Sequence, residues 1–192
     1  TVNTKSKTVW VGCCRCNYCM NNSDFKVLEN VITDDEIQIL LDHWDDIECD
    51  IFSSVNKWDV NSKTKTKIDS SNRLVEIVGI QKGTFPFLSK ILEDCFSQVI
   101  EDFKMEYPHY FTYYPLGGKH TRHTDGISGF NREWVITLYL NDDFEGGELV
   151  INNQVSPIKK GSAVLYHGNT LHEVRPVTKG ERFVITECAG KN

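Results

Sequence analysis

His123-Thr124-Asp125 sets an imidazole and a carboxylate two positions apart. On an extended strand, residues i and i+2 point to the same face, so one strand can deliver both groups to one place. A third donor must come from elsewhere. His172, in His172-Glu173-Val174-Arg175-Pro176 ahead of the last strand-like run, is the candidate. Two histidines and a carboxylate on one face of an octahedron leave three positions open, an arrangement that suits ferrous iron holding dioxygen and a second small ligand.

His-x-Asp alone occurs often by chance, and its companions carry the weight. Arg182 follows His172 by ten residues and starts the final strand-like run, on which Arg182, Val184 and Thr186 share a face. An arginine inside a barrel needs an anion, and its fork matches a carboxylate with two parallel hydrogen bonds. No Asp or Glu in the sequence is an obvious internal partner, so a dicarboxylate ligand would supply one. Two other histidines are set aside. His167 follows Tyr166 on the preceding strand and is expected to pack or hydrogen-bond. His120 precedes His123 by three, which on a regular strand puts it on the opposite face, with Arg122 and Thr124 also directed away.

Four stretches in order resemble the 2-oxoglutarate/iron(II) dioxygenases of the prolyl 4-hydroxylase type: Tyr114-Pro-Leu-Gly-Gly-Lys-His-Thr-Arg-His-Thr-Asp125, Thr137-Leu-Tyr-Leu-Asn141, Glu145-Gly-Gly-Glu-Leu-Val150 and His172-Glu-Val-Arg-Pro-Val-Thr-Lys-Gly-Glu-Arg-Phe183. The resemblance covers roughly Tyr110 to Ala189. It implies a double-stranded β-helix (jelly-roll) fold, with Fe(2+) held by His123, Asp125 and His172. It implies that Arg182 binds the C5 carboxylate of 2-oxoglutarate, with Tyr139 and Thr186 beside it and Tyr114 reaching cosubstrate or substrate. The implied reaction couples decarboxylation of 2-oxoglutarate to hydroxylation of an unactivated C–H bond, with succinate and carbon dioxide as coproducts and L-ascorbate rescuing iron oxidised in uncoupled cycles. A prolyl residue of a peptide or protein is the first substrate reading. A lysyl or other side chain, a small molecule, and a catalytically inactive barrel used for binding are the alternatives. Collagen-type relatives commonly carry Lys where Arg182 stands, which weakens collagen as the substrate.

The elements that must position these residues can be read in outline. Residues 1–24 are polar and cysteine-rich and read as an extension, and 25–192 as the dioxygenase domain. A first strand is expected from Phe25 to Ile32. Thr33-Asp34-Asp35-Glu36 is a capping box, and Ile37, Leu40, Leu41 and Trp44 form the apolar stripe of the helix after it. Asn56 to Asn72 reads as a loop of Ser, Thr, Asn and Lys, either solvated or a flap over the substrate. A strand follows from Arg73, and then a second helix from Pro86 with apolar spacing out to Phe103. Short strand-like runs occupy the rest: Tyr110–Tyr114, Lys119–Asp125, Trp134–Leu140, Glu148–Ile151, Ala163–Tyr166 and Arg182–Cys188. Regular short strands with turn signals imply a sandwich or barrel, here an α+β, mainly β, domain with its helices against one sheet.

Composition narrows the partners. The chain has 192 residues, 40% hydrophobic and 25% charged, which suits one globular domain with a real core. The net charge of −6 gives no support to a nucleic-acid partner. No apolar run approaches membrane-spanning length, and no signal-peptide core is seen in Thr1–Cys16. There are seven cysteines, four of them at 13, 14, 16 and 19. An odd count argues against a fully paired secreted scaffold. The adjacent Cys13 and Cys14 fit poorly the separated pairs of a zinc site, so reduced thiols or a local disulfide are expected there. Nothing in the sequence addresses the oligomeric state.

Overall fold

The computed structural model describes residues 8–10, 24–47, 49–50, 65–126 and 132–191. The cysteines at 13, 14, 16 and 19 lie outside the described residues, as does the 56–64 part of the expected loop. In chain order the elements are β1 (Thr8–Trp10), β2 (Phe25–Leu28), α1 (Asp34–Asp46), β3 (Cys49–Asp50), β4 (Lys65–Asp69), β5 (Arg73–Ile80), α2 (Pro86–Phe96), β6 (Phe103–Met105), β7 (His109–Tyr114) and β8 (Lys119–His123). They continue with β9 (Trp134–Tyr139), β10 (Glu145–Gly146), β11 (Leu149–Ile151), β12 (Gln154–Val155), β13 (Ala163–His167), β14 (His172–Val174), β15 (Val177–Lys179) and β16 (Arg182–Lys191).

One sheet runs β1-β2-β13-β9-β16-β7-β5-β8-β14-β11-β12, with β4 joined to β5 and β6 to β16, while β10 and β15 form a separate pair. All pairings except β3 with β4 are antiparallel. The sheet curls because β5 serves two partners: Glu76–Ile80 pair with β7, and Arg73 and Leu74 pair with β8. This strand therefore carries the ladder from one wall of the barrel to the other.

Alternation along the central strands separates two cores. On β16, Val184 and Cys188 pack inside the barrel, whereas Ile185 and Ala189 pack outward against the helices. On β7, Tyr114 faces inward and Phe111 outward, and on β9 Val135 and Tyr139 face inward and Ile136 and Leu138 outward. The outer core is completed by Ile37, Leu40 and Trp44 of α1 and Leu88, Leu92 and Phe96 of α2. Each such side chain contributes about 1.5–3 kcal/mol on full burial, so the helices fasten one wall of the barrel and leave its interior to the site.

The capping box forms as the sequence predicts: Glu36 N–H donates to Thr33 Oγ1 at 3.3 Å, and Thr33 N–H donates to Glu36 Oε2 at 2.9 Å. Helix α2 starts with Pro86 at its first turn but ends at Phe96 rather than running to Phe103. The amides of Val99 and Ile100 both turn back to the Phe96 carbonyl. The apolar spacing persists because Ile100 still packs on the helix-side core. The first strand stops at Leu28 instead of Ile32. Lys65–Asp69 is a correction too. The expected loop is there the strand β4, paired with Val75 and Ile77 of β5, although its composition is polar. A polar strand can pair at a sheet edge because its hydrogen bonds come from the backbone.

On the helix-facing side, His109 Nδ1 is hydrogen-bonded to Glu187 Oε2, and both residues are fully buried. Ser89 Oγ of α2 lies 3.2 Å from His109 Nε2, and Cys188 N–H donates to Glu187 Oε1 at 2.8 Å. Burial lowers the His109 pKa to about 4 and raises that of Glu187, so the pair shares one proton rather than holding two full charges. Removing one partner of such a neutral pair leaves a buried polar group unsatisfied, which costs about 1–3 kcal/mol. Glu187→Leu is therefore expected to lower the unfolding free energy by about that amount in urea titrations. Adding His109→Leu should restore most of the loss; if the double variant is no better than the single, the lost packing rather than the orphaned histidine accounts for the effect.

Candidate metal and cosubstrate centre

His123 ends β8, His172 begins β14, and the two are directly paired across the ladder. Asp125 lies two residues beyond the end of β8. Its backbone N–H donates to the Gly168 carbonyl at 2.9 Å, and Gly126 N–H donates to the same oxygen at 3.2 Å. The turn between β13 and β14 thus clamps the segment carrying Asp125 next to the strand carrying His172. Gly168 is required there, since a Cβ on it would lie 2.2 Å from the Arg132 carbonyl oxygen.

The donor atoms of His123, Asp125 and His172 all lie within 4.8 Å of one another. Asp125 Oδ2 is 3.3 Å from His172 Nε2, and Asp125 Oδ1 is 3.7 Å from His123 Nε2. Each histidine uses its other nitrogen to face a backbone carbonyl two residues upstream: His123 Nδ1 lies 2.7 Å from the Thr121 oxygen and His172 Nδ1 2.9 Å from the Thr170 oxygen. Those carbonyls fix the proton on Nδ1 and leave both Nε2 lone pairs directed at the carboxylate. Burial lowers the His123 pKa, and the neighbouring His172 charge adds to it. Burial opposes ionisation of Asp125, but its contacts with His172 and His123 outweigh this and hold its pKa down. A metal requires neutral imidazoles and an ionised carboxylate, and the directions of the His123 and Asp125 shifts favour those states. Tyr166 packs its ring 4.7 Å from that of His172 and helps keep it in place.

A cavity of about 330 Å³ opens beside this cluster and reaches Arg182. Arg182 is 1% exposed, yet its Nε and Nη1 have no hydrogen-bond partner, and no ion pair to it is found among the described residues. Its guanidinium lies between two rings, 4.5 Å from the centre of Tyr114 and 5.2 Å from that of Tyr139. The hydroxyl of Tyr139 is likewise buried without a partner. Buried donors normally have acceptors, so these donors are available to an anion. Thr186 and Tyr114 line the same cavity. Gly147 accounts for part of the Glu145-Gly-Gly-Glu motif: it has a φ of +65°, and a Cβ would lie 3.1 Å from Arg182 Cδ. The residues present therefore fit both groups: a ferrous ion at the His-Asp-His cluster and a dicarboxylate whose far end meets Arg182 and Tyr139.

Two residues are placed differently from the sequence expectation or were missed by it. His120 is not on the opposite face. Its ring centre is 3.7 Å from that of His123, and it lines the cavity. The cause is a register shift: His172 pairs with His123 but Val174 pairs with His120, so two steps on β14 span three on β8. Such a bulge rotates the extra residue to the other face. Arg73, which sequence reasoning used only as a strand start, also lines the cavity. His167 behaves as expected: it accepts from Asn169 N–H at 3.3 Å, packs edge-on to Trp134 and lies outside the donor cluster.

Comparison with known proteins places this arrangement. Residues 109–188 match the model of the 2OG-Fe(II) oxygenase superfamily. A PKHD-type hydroxylase of Picosynechococcus sp. is 40% identical over 82 residues, which is 38% of this chain and 37% of that protein. The match thus spans little more than a third of that relative. Among solved structures, a prolyl-4-hydroxylase from Pseudomonas putida superposes with a TM-score of 0.62 at 17% identity, covering 88% of this chain and 93% of that one. A prolyl hydroxylase from Trichoplax adhaerens, solved with a hypoxia inducible factor oxygen degradation domain peptide fragment, gives a TM-score of 0.66 at 20% identity, covering 89% of this chain and 85% of that one. At these identities the two structures establish the shared fold, the jelly roll that the sequence predicts.

Proposed function

We propose that this chain, whose residues 109–188 match the model of the 2OG-Fe(II) oxygenase superfamily, is such an oxygenase and hydroxylates an unactivated C–H bond, that of a prolyl residue in a peptide or protein. Residues 25–192 form the catalytic domain in this reading. The observation that carries it is the buried, unpartnered Arg182 in one cavity with the His123, Asp125 and His172 cluster.

The roles follow from the geometry. His123, Asp125 and His172 hold ferrous iron, which when bound activates dioxygen at the expense of 2-oxoglutarate. Overall, substrate, dioxygen and 2-oxoglutarate become hydroxylated substrate, succinate and carbon dioxide, so each oxygen atom is accounted for. Arg182 takes the distal carboxylate of 2-oxoglutarate, with the Tyr139 hydroxyl and Thr186 beside it. Tyr114 covers one face of that guanidinium and lines the cavity. The apolar walls, Leu149, Val174 and Val184, keep water from the reacting groups. A peptide substrate suits a small cavity that opens to the surface, because one side chain can enter while the backbone stays outside. The likeness to a fold solved with a peptide supports the same choice.

The test is to supply iron, 2-oxoglutarate, ascorbate and a proline-containing peptide library, and to follow succinate together with peptide mass. The expected result is peptide-stimulated succinate release and a gain of one oxygen atom on proline. Tight binding of iron and 2-oxoglutarate with no succinate under any condition would instead make the barrel a binding module. Oxygen gained on lysine or on a free small molecule would move the substrate and leave the chemistry in place.

A further inference from the structure

Four charged residues line the cavity among those described: Arg73, Asp125, Arg132 and Arg182. Arg132 is paired with Glu106, with Nη2 3.0 Å from Oε2. A ferrous ion, Asp125, the dianionic cosubstrate and Arg182 together carry no net charge. Arg73 then remains as one uncompensated cation. Its Nε is buried without a hydrogen-bond partner, and no carboxylate is within ion-pairing distance of its side chain among the described residues. Burial lowers its pKa, but a guanidinium stays charged even so. An arginine with no role in the cavity would carry its charged end out to water along a snorkelling stem. Arg73 instead lines the cavity from the start of β5, where its backbone pairs with His120 of β8 and where Ser70 Oγ accepts from the Arg73 amide at 3.1 Å.

Arg73 and Arg182 reach the cavity from different places in the sheet. Arg182 sits on β16 opposite Tyr114, whereas Arg73 sits where β5 crosses to β8, next to the His120 ring that stacks on His123. The two guanidinium groups therefore enter one cavity from different strands, with Arg73 on the strand paired to the one that carries His123. We propose that Arg73 is a specificity-determining residue that selects a substrate carrying a carboxylate close to the carbon to be hydroxylated. This rests on the oxygenase reading above and adds the charge of the substrate to it. The carboxylate can come from an acidic residue adjoining the target residue in a peptide, or from the α-carboxylate of a free or terminal amino acid.

The test compares paired ligands that differ only in that charge. The protein is loaded anaerobically with iron and 2-oxoglutarate, and peptide binding is measured by calorimetry. One pair is the acetylated, amidated tripeptide Gly-Pro-Asp and its Gly-Pro-Asn counterpart; the other is N-acetylproline and its amide. The wild-type protein is expected to bind the acid of at least one pair more than about tenfold tighter than the amide, as for a charge-assisted contact in a cavity. Which pair responds identifies the source of the carboxylate. In Arg73→Gln that preference should fall close to one, and in Arg73→Lys it should be partly kept, while the Kd for 2-oxoglutarate stays unchanged in both. No acid preference in either pair for the wild type, a preference that survives in Arg73→Gln, or a weakened 2-oxoglutarate Kd in Arg73→Gln would each overturn the proposal. The wild-type comparison does not depend on how the variants fold. If the wild type binds no 2-oxoglutarate, the oxygenase reading falls and this inference with it; if it binds 2-oxoglutarate and is indifferent to charge, only the role of Arg73 falls.

Discussion

His123→Ala, Asp125→Ala and His172→Ala are each expected to lower succinate production by at least about 100-fold, since even residues that merely orient metal ligands cost 10–100-fold when removed. The three donors come from two strands and one turn, and they converge because β8 pairs with β14 and the Gly168 carbonyl holds the Asp125 amide. None of the three lies in the helix-side core, so the variants should keep a wild-type circular dichroism spectrum. The separating measurement is the shift in melting temperature on adding ferrous iron anaerobically. A ligand that binds only the folded state raises stability with the logarithm of its concentration over its Kd, so the shift should be present in the wild type and largely lost in each variant. His167→Ala serves as the control and should keep it. A variant of the cluster that retains both the iron-induced shift and turnover would remove that residue from the metal site.

Arg182→Ala is expected to raise the 2-oxoglutarate requirement by more than tenfold and to change iron binding little. Truncating one partner of a buried charge pair costs about 2–5 kcal/mol, and each 1.4 kcal/mol is a factor of about ten in affinity. The loss should be large here because Arg182 is held between the rings of Tyr114 and Tyr139 and has no internal partner to fall back on. Arg182→Lys keeps the charge but loses the two-pronged fork, so its 2-oxoglutarate requirement should lie between the two. Titrating 2-oxoglutarate against succinate release, with a parallel iron titration, checks both points. An unchanged 2-oxoglutarate requirement in Arg182→Ala would remove the assignment, and an equal loss of iron affinity would mean that the variant disturbs the whole cavity. Two arginines in one cavity then have distinguishable signatures: Arg182 in the cosubstrate titration and Arg73 in the charge preference of the substrate.

What the sequence by itself determined is what depends on neighbours along the chain. The capping box at Thr33 and Glu36, the apolar stripe of α1 and the start of α2 at Pro86 are local, and they form as the residues predict. The residues proposed for the metal and the anion were also picked out from the sequence, because few residue types can do that chemistry and their order resembles a known pattern; the structure brings His123, Asp125 and His172 together. The tertiary structure decided what depends on strand register. His120 was assigned to the wrong face because periodicity assumes a regular strand, and the bulge that turns it exists only through the pairing of β8 with β14. Lys65–Asp69 lacked an apolar pattern, and its strand character comes from the edge of β5. Arg73 carried no signal at all: arginine at a strand start is ordinarily solvated, and it lines the cavity because β5 leaves β7 to pair with β8 at that residue. A one-residue change of register moves every side chain of a strand to the other face, and that register is set by partners far away in sequence.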